Sequence, residues 1–397
     1  MKIDIIKHVI VNTVKSVTYW MWKVEKKFFR TILENMLEYK TTILRQLWDT
    51  KQKTAKEWKN YFSFHLWKEN WKDLTIKTEK VMVKVIWKVD KENNCFCFDT
   101  VDINKYSAKK MEWLKIVRDW SKWELVNGFV FHGVSVKGIP LFLNREEIKI
   151  DAERWLKFEM FEKQLNKIKS IFWSWYWILA DRWYDDFKKF KLLINSWFNF
   201  AIRLKTNRNV FILEWDNVWK TILVWELKEW RYEVKIKWIE QSLFIFVKKL
   251  KWQEKPIKVI SNIDDENVVL KYLERWEIER IFKTWKQEFD FEKIWTKSIQ
   301  KTDNLVALVQ LCLWINAHIF NKLNPKFGFI EEKNNVITLE KVKEKIKPFL
   351  KEKGLTLNRN SITSFVAYYM KFIKKMKFNL QKVTLKHCFS SQLSLNL

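Results

Sequence analysis

Short apolar runs separated by turn residues predict that the central region of the chain opens with β-strands. An apolar run at 95–98 predicts a buried strand that ends at Asp99. The runs at 129–136 and 139–143, joined by a Lys-Gly turn at 137–138, predict a hairpin. We therefore expect three antiparallel strands at the start of a sheet.

Further along the chain, the hydrophobic pattern alternates between the periods of helices and strands. A helix is predicted over 146–168, and an apolar run at 176–180 predicts a strand that ends at Asp181. The pattern then predicts a helix over 185–198 and a strand over 199–205. Further strand-like runs follow at 210–213, 221–224, 232–236, 243–247 and 258–262. Strands that alternate with helices predict a mixed α/β fold.

The segment from Tyr272 to Lys286 contains no Gly or Pro and is rich in helix-forming residues, which predicts a helix. At roughly 100° per residue, four polar residues fall within about 60° of one another: Tyr272, Arg275, Glu279 and Lys286. The flank beside this polar stripe is apolar and consists of Ile278, Ile281, Phe282, Trp285 and Phe289. We expect the helix to bury the flank and expose the stripe. Without further information, such a stripe is typical of the solvated face of an amphipathic helix.

Helical patterns flank the predicted sheet on both sides. Residues 1–80 contain basic, amphipathic segments, which predict a helical N-terminal region. The sheet belongs to a central region at 81–325 with a β-rich insertion at 206–257, and an apolar pattern at 302–322 predicts a core helix. Residues 326–397 are predicted to form a basic helical C-terminal region.

The charge of the chain points to a class of partner. The 397 residues include 75 Lys and Arg against 47 Asp and Glu, which gives a net charge of +28. A surplus of this size favours a polyanionic partner, with nucleic acid the leading candidate, because cations that neutralise phosphates release bound counterions. A lysine-rich genome is the competing explanation, since the surplus is spread along the whole chain.

The cysteines and histidines predict neither a disulfide framework nor a zinc site. Cys95 and Cys97 alternate within a predicted strand, and Cys312 and Cys388 lie far from them in the sequence. The five histidines form no cluster with ligand spacing. No apolar run reaches the length of a membrane span, and the N-terminus lacks a signal-peptide core. We therefore expect a reduced, soluble, cytoplasmic protein.

The polar stripe of the predicted helix has a specific spacing. Its four residues reproduce the pattern Tyr-x2-Arg-x3-Glu-x6-Lys, and the helix thereby resembles the signature of the insertion-sequence-four group of DDE transposases. We call the stretch from Tyr272 to Lys286 the signature segment. The resemblance covers about residues 95–300, roughly half of the chain.

Two upstream segments extend this resemblance. The tetrapeptide from Asp181 to Tyr184 is similar to the family block Asp-Arg-Gly followed by Tyr or Phe, except that Trp183 replaces the glycine. The segment that begins with Asp99 resembles the first-aspartate block of the family, with Asp102 as the alternative first aspartate.

The resemblance implies a ribonuclease-H-like fold and a two-metal mechanism. In this family three carboxylates bind the metal ions, and the matching residues of this chain are Asp99, Asp181 and Glu279. Hard carboxylate oxygens suit two Mg²⁺ or Mn²⁺ ions. The residues implied to contact DNA are Tyr272, Arg275 and Lys286, together with Arg182.

By this resemblance, the protein is a transposase of a bacterial insertion sequence. It would cut at the transposon ends and transfer the free 3′-hydroxyl to target DNA by in-line phosphoryl transfer. Its partner would be double-stranded DNA, on which it would be a dimer, and it would be associated with the nucleoid. The family counterpart of residues 1–80 recognises DNA ends, although a packing role for these residues stays open.

Two other functions compete with this interpretation. A catalytically inactive or domesticated relative would bind DNA without cutting it. A metal-dependent nuclease would cut DNA but would never join a free 3′-hydroxyl to a target. Assays of metal-dependent nicking and of strand transfer separate the three functions.

The composition has one abnormal feature, which is that the chain contains 5 Gly and 26 Trp. At the usual share of about 7%, a chain of this length carries roughly 28 Gly. Tryptophans also occupy positions where turns favour glycine, namely Trp120, Trp123, Trp183, Trp230 and Trp252. We hypothesise that the gene reads UGA as glycine at such positions. The alternative is a Trp-rich protein in which the ring of Trp183 crowds DNA beside the second aspartate.

Overall fold

The computed structural model describes residues 23–40, 42–43, 95–146 and 153–327, together with scattered residues between 11 and 83. The gaps within these ranges are 107, 109–110, 113, 120, 137–138, 173–175, 214–218, 252, 295 and 297. Several features predicted from the sequence therefore lie outside the described residues. They are the turn at 137–138, Trp120, Trp252 and nearly all of the C-terminal region at 326–397.

Within the described residues, eleven strands form one mixed sheet. They are β1 (Cys95–Asn104), β2 (Lys115–Asp119), β3 (Glu124–Val136), β4 (Ile139–Arg145), β5 (Trp177–Ala180), β6 (Asn199–Arg203), β7 (Asn209–Leu213), β8 (Trp219–Leu223), β9 (Arg231–Lys235), β10 (Leu243–Lys248) and β11 (Ile257–Ser261). Their order is β2-β3-β1-β5-β6-β11-β10-β9-β7-β8, and β4 pairs with β3. This arrangement confirms the predicted mixed α/β class and is consistent with a ribonuclease-H-like fold.

Six α-helices have defined bounds in this part of the chain. They are α1 (Lys23–Tyr39), α2 (Glu153–Ile171), α3 (Phe187–Asn195), α4 (Val268–Leu273), α5 (Trp276–Lys283) and α6 (Ile299–Phe327). The predicted core helix is confirmed as α6, which lies against β4, where Gln310 Nε2 donates to the Leu141 carbonyl oxygen at 2.9 Å. Only α1 and scattered residues represent the predicted N-terminal helical region.

Three parallel strands, β1, β5 and β6, form the centre of the sheet. The pairing of β1 with β5 extends to Phe98 and Ala180, and β6 lies on the other side of β5. Successive residues of these strands are buried on both faces, which is typical of parallel strands and explains their continuous apolar runs. Because the carboxyl ends of parallel strands meet at one edge, Asp99, Asp181 and Arg203 are brought to the same side of the molecule.

The first strand is longer than the sequence predicts. The predicted end at Asp99 is wrong, because β1 stays paired with β3 as far as Asn104, which lies opposite Gly128. A Cβ atom at Gly128 would lie 2.5 Å from the Ile103 carbonyl oxygen, so this close approach of the strands requires glycine. Asp99 is therefore held inside a strand, immediately after the point where the pairing with β5 ends.

The predicted β-rich insertion extends the central sheet. β11 pairs antiparallel with β6, and β10, β9, β7 and β8 follow in that order. Each predicted strand of this region agrees with an observed one to within two residues at either end. The sequence pattern does not predict β2, a short strand that pairs with the first half of β3.

The signature segment is less regular than one continuous helix. It comprises the end of α4, all of α5 and a π-helical turn at Thr284–Glu288. Between α4 and α5 the hydrogen bonds reach back only three residues, for example from Arg275 N to Tyr272 O at 3.1 Å. The prediction of a single regular helix is wrong in this respect, because such bonds tighten the turn to a 3₁₀ geometry.

The apolar flank of the signature segment is buried as predicted, from Ile278 to Phe289. Phe282 lies so close to β3 that a Cβ atom at Gly133 would be 2.5 Å from its Cζ. The prediction that the polar stripe is exposed is wrong for Tyr272 and Arg275, which are 1% and 3% exposed. They are buried because α4 packs against β5, β6, β10 and β11, and α5 packs against β1 and β3.

Candidate active site

Arg275 lies at the centre of a buried polar cluster at the carboxyl edge of the central strands. Its guanidinium donates hydrogen bonds to Asp99 Oδ2 at 3.0 Å and to Glu279 Oε1 at 2.6 Å. It also donates to the Tyr272 hydroxyl at 3.1 Å. One helical turn sets the contacts with Tyr272 and Glu279. Only the sheet brings in Asp99, which is 176 residues away in sequence.

Asp181 follows β5 and precedes a 3₁₀ turn at Arg182–Tyr184. Its backbone carbonyl accepts a hydrogen bond from the Tyr184 amide at 2.8 Å. Its side chain does not cap the turn, and Oδ1 is buried with no hydrogen-bond partner among the described residues. A buried carboxylate oxygen without a donor is costly, which makes this atom a candidate for contact with a cation or another ligand.

Tyr184 anchors the turn that holds Asp181 in place. Its ring lies against Phe161 and Phe98, with centroid distances of 5.3 Å and 6.2 Å. Burial raises the pKa of the Tyr184 phenol, and the nearby charges of Asp99 and Asp181 raise it further. The aromatic residue at this position therefore serves packing, and it fixes the backbone that follows the second aspartate.

The three predicted metal-binding carboxylates share one electrostatic neighbourhood. Burial raises the pKa of Asp99 to about 7, although the charge of Arg275 and the Thr100 amide act against it. The negative charges of Asp181 and Glu279 add to this rise. The site thus holds more negative charge than Arg275 alone neutralises.

The cation of the cluster keeps its charge. Burial acts to lower the pKa of Arg275, but Tyr272, Asp99, Glu279 and Asp181 together raise it above its ordinary value. Burial also raises the pKa of Tyr272 to about 12, so its hydroxyl stays protonated at neutral pH. The cluster is therefore a charged guanidinium surrounded by acidic groups and one neutral phenol.

The other predicted site residues lie around this cluster. Arg182 is exposed, and Trp183 beside it is 53% exposed. Lys286 lies within the π-helical turn and pairs with Glu292 at 3.4 Å. Asp102 lies on the opposite face of β1 from Asp99, because residues three apart in a strand point to opposite faces.

Arg203 is a further cation near the cluster that the sequence analysis did not identify. It is exposed at the carboxyl end of β6, one strand away from Asp181. Its charge acts on the Tyr272 phenol, which places it near the buried cluster. Its position at the end of a predicted strand was the signal that could have identified it, because neighbouring parallel strands bring the residues at their carboxyl ends together.

No group of three or more His, Cys, Asp or Glu side chains in the described part of the chain is arranged to hold a metal ion. At the predicted site, the guanidinium of Arg275 lies between Asp99 and Glu279. Among the described helices, none combines the length and apolar character needed to span a membrane.

Comparison with known families supports the interpretation of this edge of the sheet. Residues 157–315 match the family model described as a transposase DDE domain. The match covers less than half of the chain, includes Asp181 and the whole signature segment, and begins after Asp99. No curated protein matches the chain. The family match supports a DDE transposase.

Proposed function

We propose that this protein is a transposase of the insertion-sequence-four type, encoded by a bacterial insertion sequence. It cuts double-stranded DNA at transposon ends and transfers the 3′-hydroxyl strand to a target. The observation that carries the proposal is the convergence of Asp99, Asp181 and Glu279 around Arg275 at one edge of the sheet. Two of these carboxylates lie inside the segment that matches a transposase domain.

The side chains at this edge have the donor chemistry of a divalent-cation site, although Arg275 now lies between two of them. Asp99, Asp181 and Glu279 offer only hard oxygen donors, and Asp181 Oδ1 has no hydrogen-bond partner among the described residues. When bound, two Mg²⁺ or Mn²⁺ ions would activate the attacking oxygen and stabilise the leaving oxygen of an in-line displacement. A bound cation would favour the ionised form of Asp99 and so act against the burial that raises its pKa.

The surrounding residues position the ligands and the DNA. Pairing with β3 on one side and with β5 just before Asp99 keeps that carboxylate rigid. Glu279 has a side chain that is 53% exposed, so DNA reaches the cluster from this side. We assign phosphate contacts to the exposed Arg182, to Lys286 and, in addition to the residues predicted from sequence, to Arg203.

The geometry supports Asp99 over Asp102 as the first ligand, since only Asp99 faces the signature segment. The proposal also includes a dimer on DNA, because two transposon ends must be brought together. Residues 1–80 are proposed to contribute DNA contacts, and 326–397 to form a basic helical region. The β-rich insertion at 206–257 belongs to the catalytic domain at 81–325.

A catalytically inactive DNA-binding relative is the second candidate. Two observations favour it: the exposed ring of Trp183 beside Asp181, and the guanidinium that occupies the space between Asp99 and Glu279. Either feature would reduce access of a cation or of a DNA strand to the carboxylates.

A nicking and strand-transfer assay tests the proposal. The purified chain is incubated with Mg²⁺ or Mn²⁺, a DNA fragment that carries the ends of its element, and a target plasmid. We expect nicked ends and joined products, both of which are lost with EDTA. Asp99→Asn, Asp181→Asn and Glu279→Gln should each reduce nicking to below about 1% of the wild-type rate.

Asp102→Asn is the matched control for the first ligand and should keep its activity. DNA binding without nicking would overturn the proposal in favour of the inactive relative. Nicking without joined products would overturn it in favour of a nuclease.

A further inference from the structure

Three tryptophans have a backbone conformation that favours glycine. The φ angle is 59° at Trp123, 62° at Trp197 and 74° at Trp238. This left-handed region is disfavoured for residues with a Cβ atom and is the usual reason for a glycine. The other described non-glycine residues with positive φ are Lys40 and Asp290. The hydrogen bonds and the type of turn around each tryptophan show whether the local fold requires a positive φ at that position.

Trp197 ends α3 in a Schellman motif. The Phe198 amide donates to the Leu193 carbonyl at 3.1 Å, and the Trp197 amide donates to the Ile194 carbonyl at 3.0 Å. In this motif the residue at the position of Trp197 is left-handed and is usually glycine. Phe198, the next residue, is fully buried. The path of the chain from α3 into β6 therefore requires this conformation.

Trp238 is the third residue of a β-turn between β9 and β10. The Ile239 amide donates to the Ile236 carbonyl at 3.0 Å and closes the turn. A positive φ at the third position is the mark of a type II turn, which requires Gly or Asn at that position. Trp238 therefore occupies a glycine position of a different kind from Trp197.

Trp123 closes the hairpin loop between β2 and β3. The strands pair up to Asp119 and Glu124, so Trp123 is the last residue of a four-residue loop. The Ser121 amide donates to Asp119 Oδ1 at 2.9 Å at the start of this loop. A left-handed residue at the end of such a loop returns the chain to the strand, and glycine is the common choice.

The side chains of these three residues also lie on the surface. Trp123, Trp197 and Trp238 are 70%, 77% and 69% exposed. Trp285 behaves differently, because it is fully buried and its ring lies 4.8 Å from Phe131 between centroids. The surface tryptophans therefore have an unfavourable backbone conformation without a compensating place in the core.

We infer that the natural protein carries glycine at positions 123, 197 and 238, and that UGA codons at these positions are read as glycine. This inference does not depend on the proposed function. It changes the set of positions in the hypothesis drawn from composition. It adds 197 and 238, and the backbone angles give no support for glycine at Trp183 and Trp230. It also assigns Trp285 as a genuine tryptophan.

The codons and the native peptides test the inference directly. We expect UGA at positions 123, 197 and 238 and UGG at 285, and we expect mass spectra of peptides from the source cells to show glycine at the first three. UGG codons at the three positions, or native peptides with tryptophan there, would overturn it.

A pair of substitutions tests the physical reason. Trp197→Gly should raise the Tm by about 2–4 °C over Trp197→Ala, because both remove the ring but only glycine removes the Cβ atom. Trp225, which is 60% exposed without positive φ, is the matched control, and its Gly variant should be no more stable than its Ala variant. No gain of glycine over alanine at 197 would contradict the inference.

A second inference concerns Arg275 and rests on the proposed function. All three guanidinium nitrogens donate within the buried cluster, to Asp99, Glu279 and Tyr272. The Asp99 side chain is only 13% exposed, so its charge is costly without a nearby cation, and Arg275 supplies the positive charge both to Asp99 and to the more exposed Glu279. The same contacts occupy two of the three proposed metal ligands.

We propose that Arg275 is an internal counter-ion that competes with the divalent cation for Asp99 and Glu279. Binding of the cation then requires the guanidinium to release at least one carboxylate. Arg275 thus keeps the folded chain stable before the cation binds, and its presence lowers the affinity of the site.

Titration of the full chain with Mn²⁺ by calorimetry tests this competition. Arg275→Gln should bind Mn²⁺ roughly tenfold more tightly than the wild type, with a lower Tm when no divalent cation is present. Arg275→Lys keeps the charge and should bind with an affinity close to that of the wild type. Lys191→Gln, at an exposed position of α3, is the control and should change neither quantity.

Equal or weaker Mn²⁺ binding by Arg275→Gln would overturn the counter-ion role, and the proposed function would stand if the wild type still nicks DNA. Absence of Mn²⁺ binding in the wild type and in every variant would overturn both.

Discussion

Glu146 and Asp99 are carboxylates of the same sheet with little exposure, at 2% and 13% of the side chain, but they have different surroundings. Glu146 accepts a hydrogen bond from Lys115 at 3.0 Å and lies 3.2 Å from His132 Nε2. Burial alone would raise the pKa of Glu146, but these partners lower it to about 2. Asp99 shares the guanidinium of Arg275 with Glu279, and its pKa is raised to about 7.

The two clusters lie on opposite faces of β3. His132 points towards Glu146, whereas the next residue, Gly133, lies opposite Asp99 and faces Phe282 of α5. The face with Glu146 has enough donors for its carboxylate, which is typical of a structural network. The face with Asp99 has an excess of acidic groups, which is typical of a functional site. The ratio of acidic groups to their positively charged partners therefore distinguishes the Glu146 cluster from the Asp99 cluster more clearly than burial does.

Neutralising Asp99 and Glu146 in separate variants should produce the largest effects, and it should distinguish a catalytic role from a structural one. Asp99→Asn should lower the nicking rate at least about 100-fold with little loss of stability, because the folded protein already disfavours its charge. Glu146→Gln should lower the free energy of unfolding by about 2–3 kcal/mol, because Lys115 and His132 lose their anion. Nicking assays beside urea titrations measure both effects. Equal losses in the two variants would contradict the comparison.

The second-largest effect is a dependence of the free energy of unfolding on pH, which is caused by Glu146. Its pKa is about 2 in the folded protein against the ordinary value of 4.5, so the unfolded chain binds more protons between these values. The stabilisation is complete above pH 4.5 and is lost as the pH falls through 2, by up to about 3 kcal/mol. Urea titrations from pH 5 downwards, over roughly three pH units, measure it.

Glu146→Gln should remove this part of the pH dependence. Glu124→Gln, at an exposed position of β3, should leave it unchanged. A Glu146→Gln variant that loses as much stability on acidification as the wild type would assign the effect to other groups.

The smallest effect is expected at Gly133, which separates the two faces. Gly133→Ala should lower the free energy of unfolding by about 1–2 kcal/mol, because the new Cβ atom displaces Phe282 and with it α5. Ser135→Ala is the control in the same strand, since the buried Ser135 hydroxyl has no hydrogen-bond partner among the described residues. Denaturant titrations measure both variants. A stable Gly133→Ala variant would show that α5 adjusts its packing freely.

Local patterns in the sequence were sufficient for much of the fold. The apolar runs of β1, β5 and β6 predict buried strands because both faces of a parallel sheet are covered. The contacts of Arg275 with Tyr272 and Glu279 follow from helical spacing, which makes residues three and four apart neighbours. The burial of Phe282 follows from the same period. These features depend on residues that are close in sequence.

Only the tertiary structure decided which distant residues share a site and how strongly they interact. The contact between Arg275 and Asp99 depends on the order of the strands, and the burial of Arg275 depends on packing against the sheet. The left-handed conformations of Trp197 and Trp238, which the sequence analysis did not single out, also appear only in the folded backbone. Charge balance is a property of the assembled sheet, because partners far apart in sequence set it. The turns at Trp197 and Trp238 are local, but a tryptophan stands where the sequence signal for such a turn is a glycine.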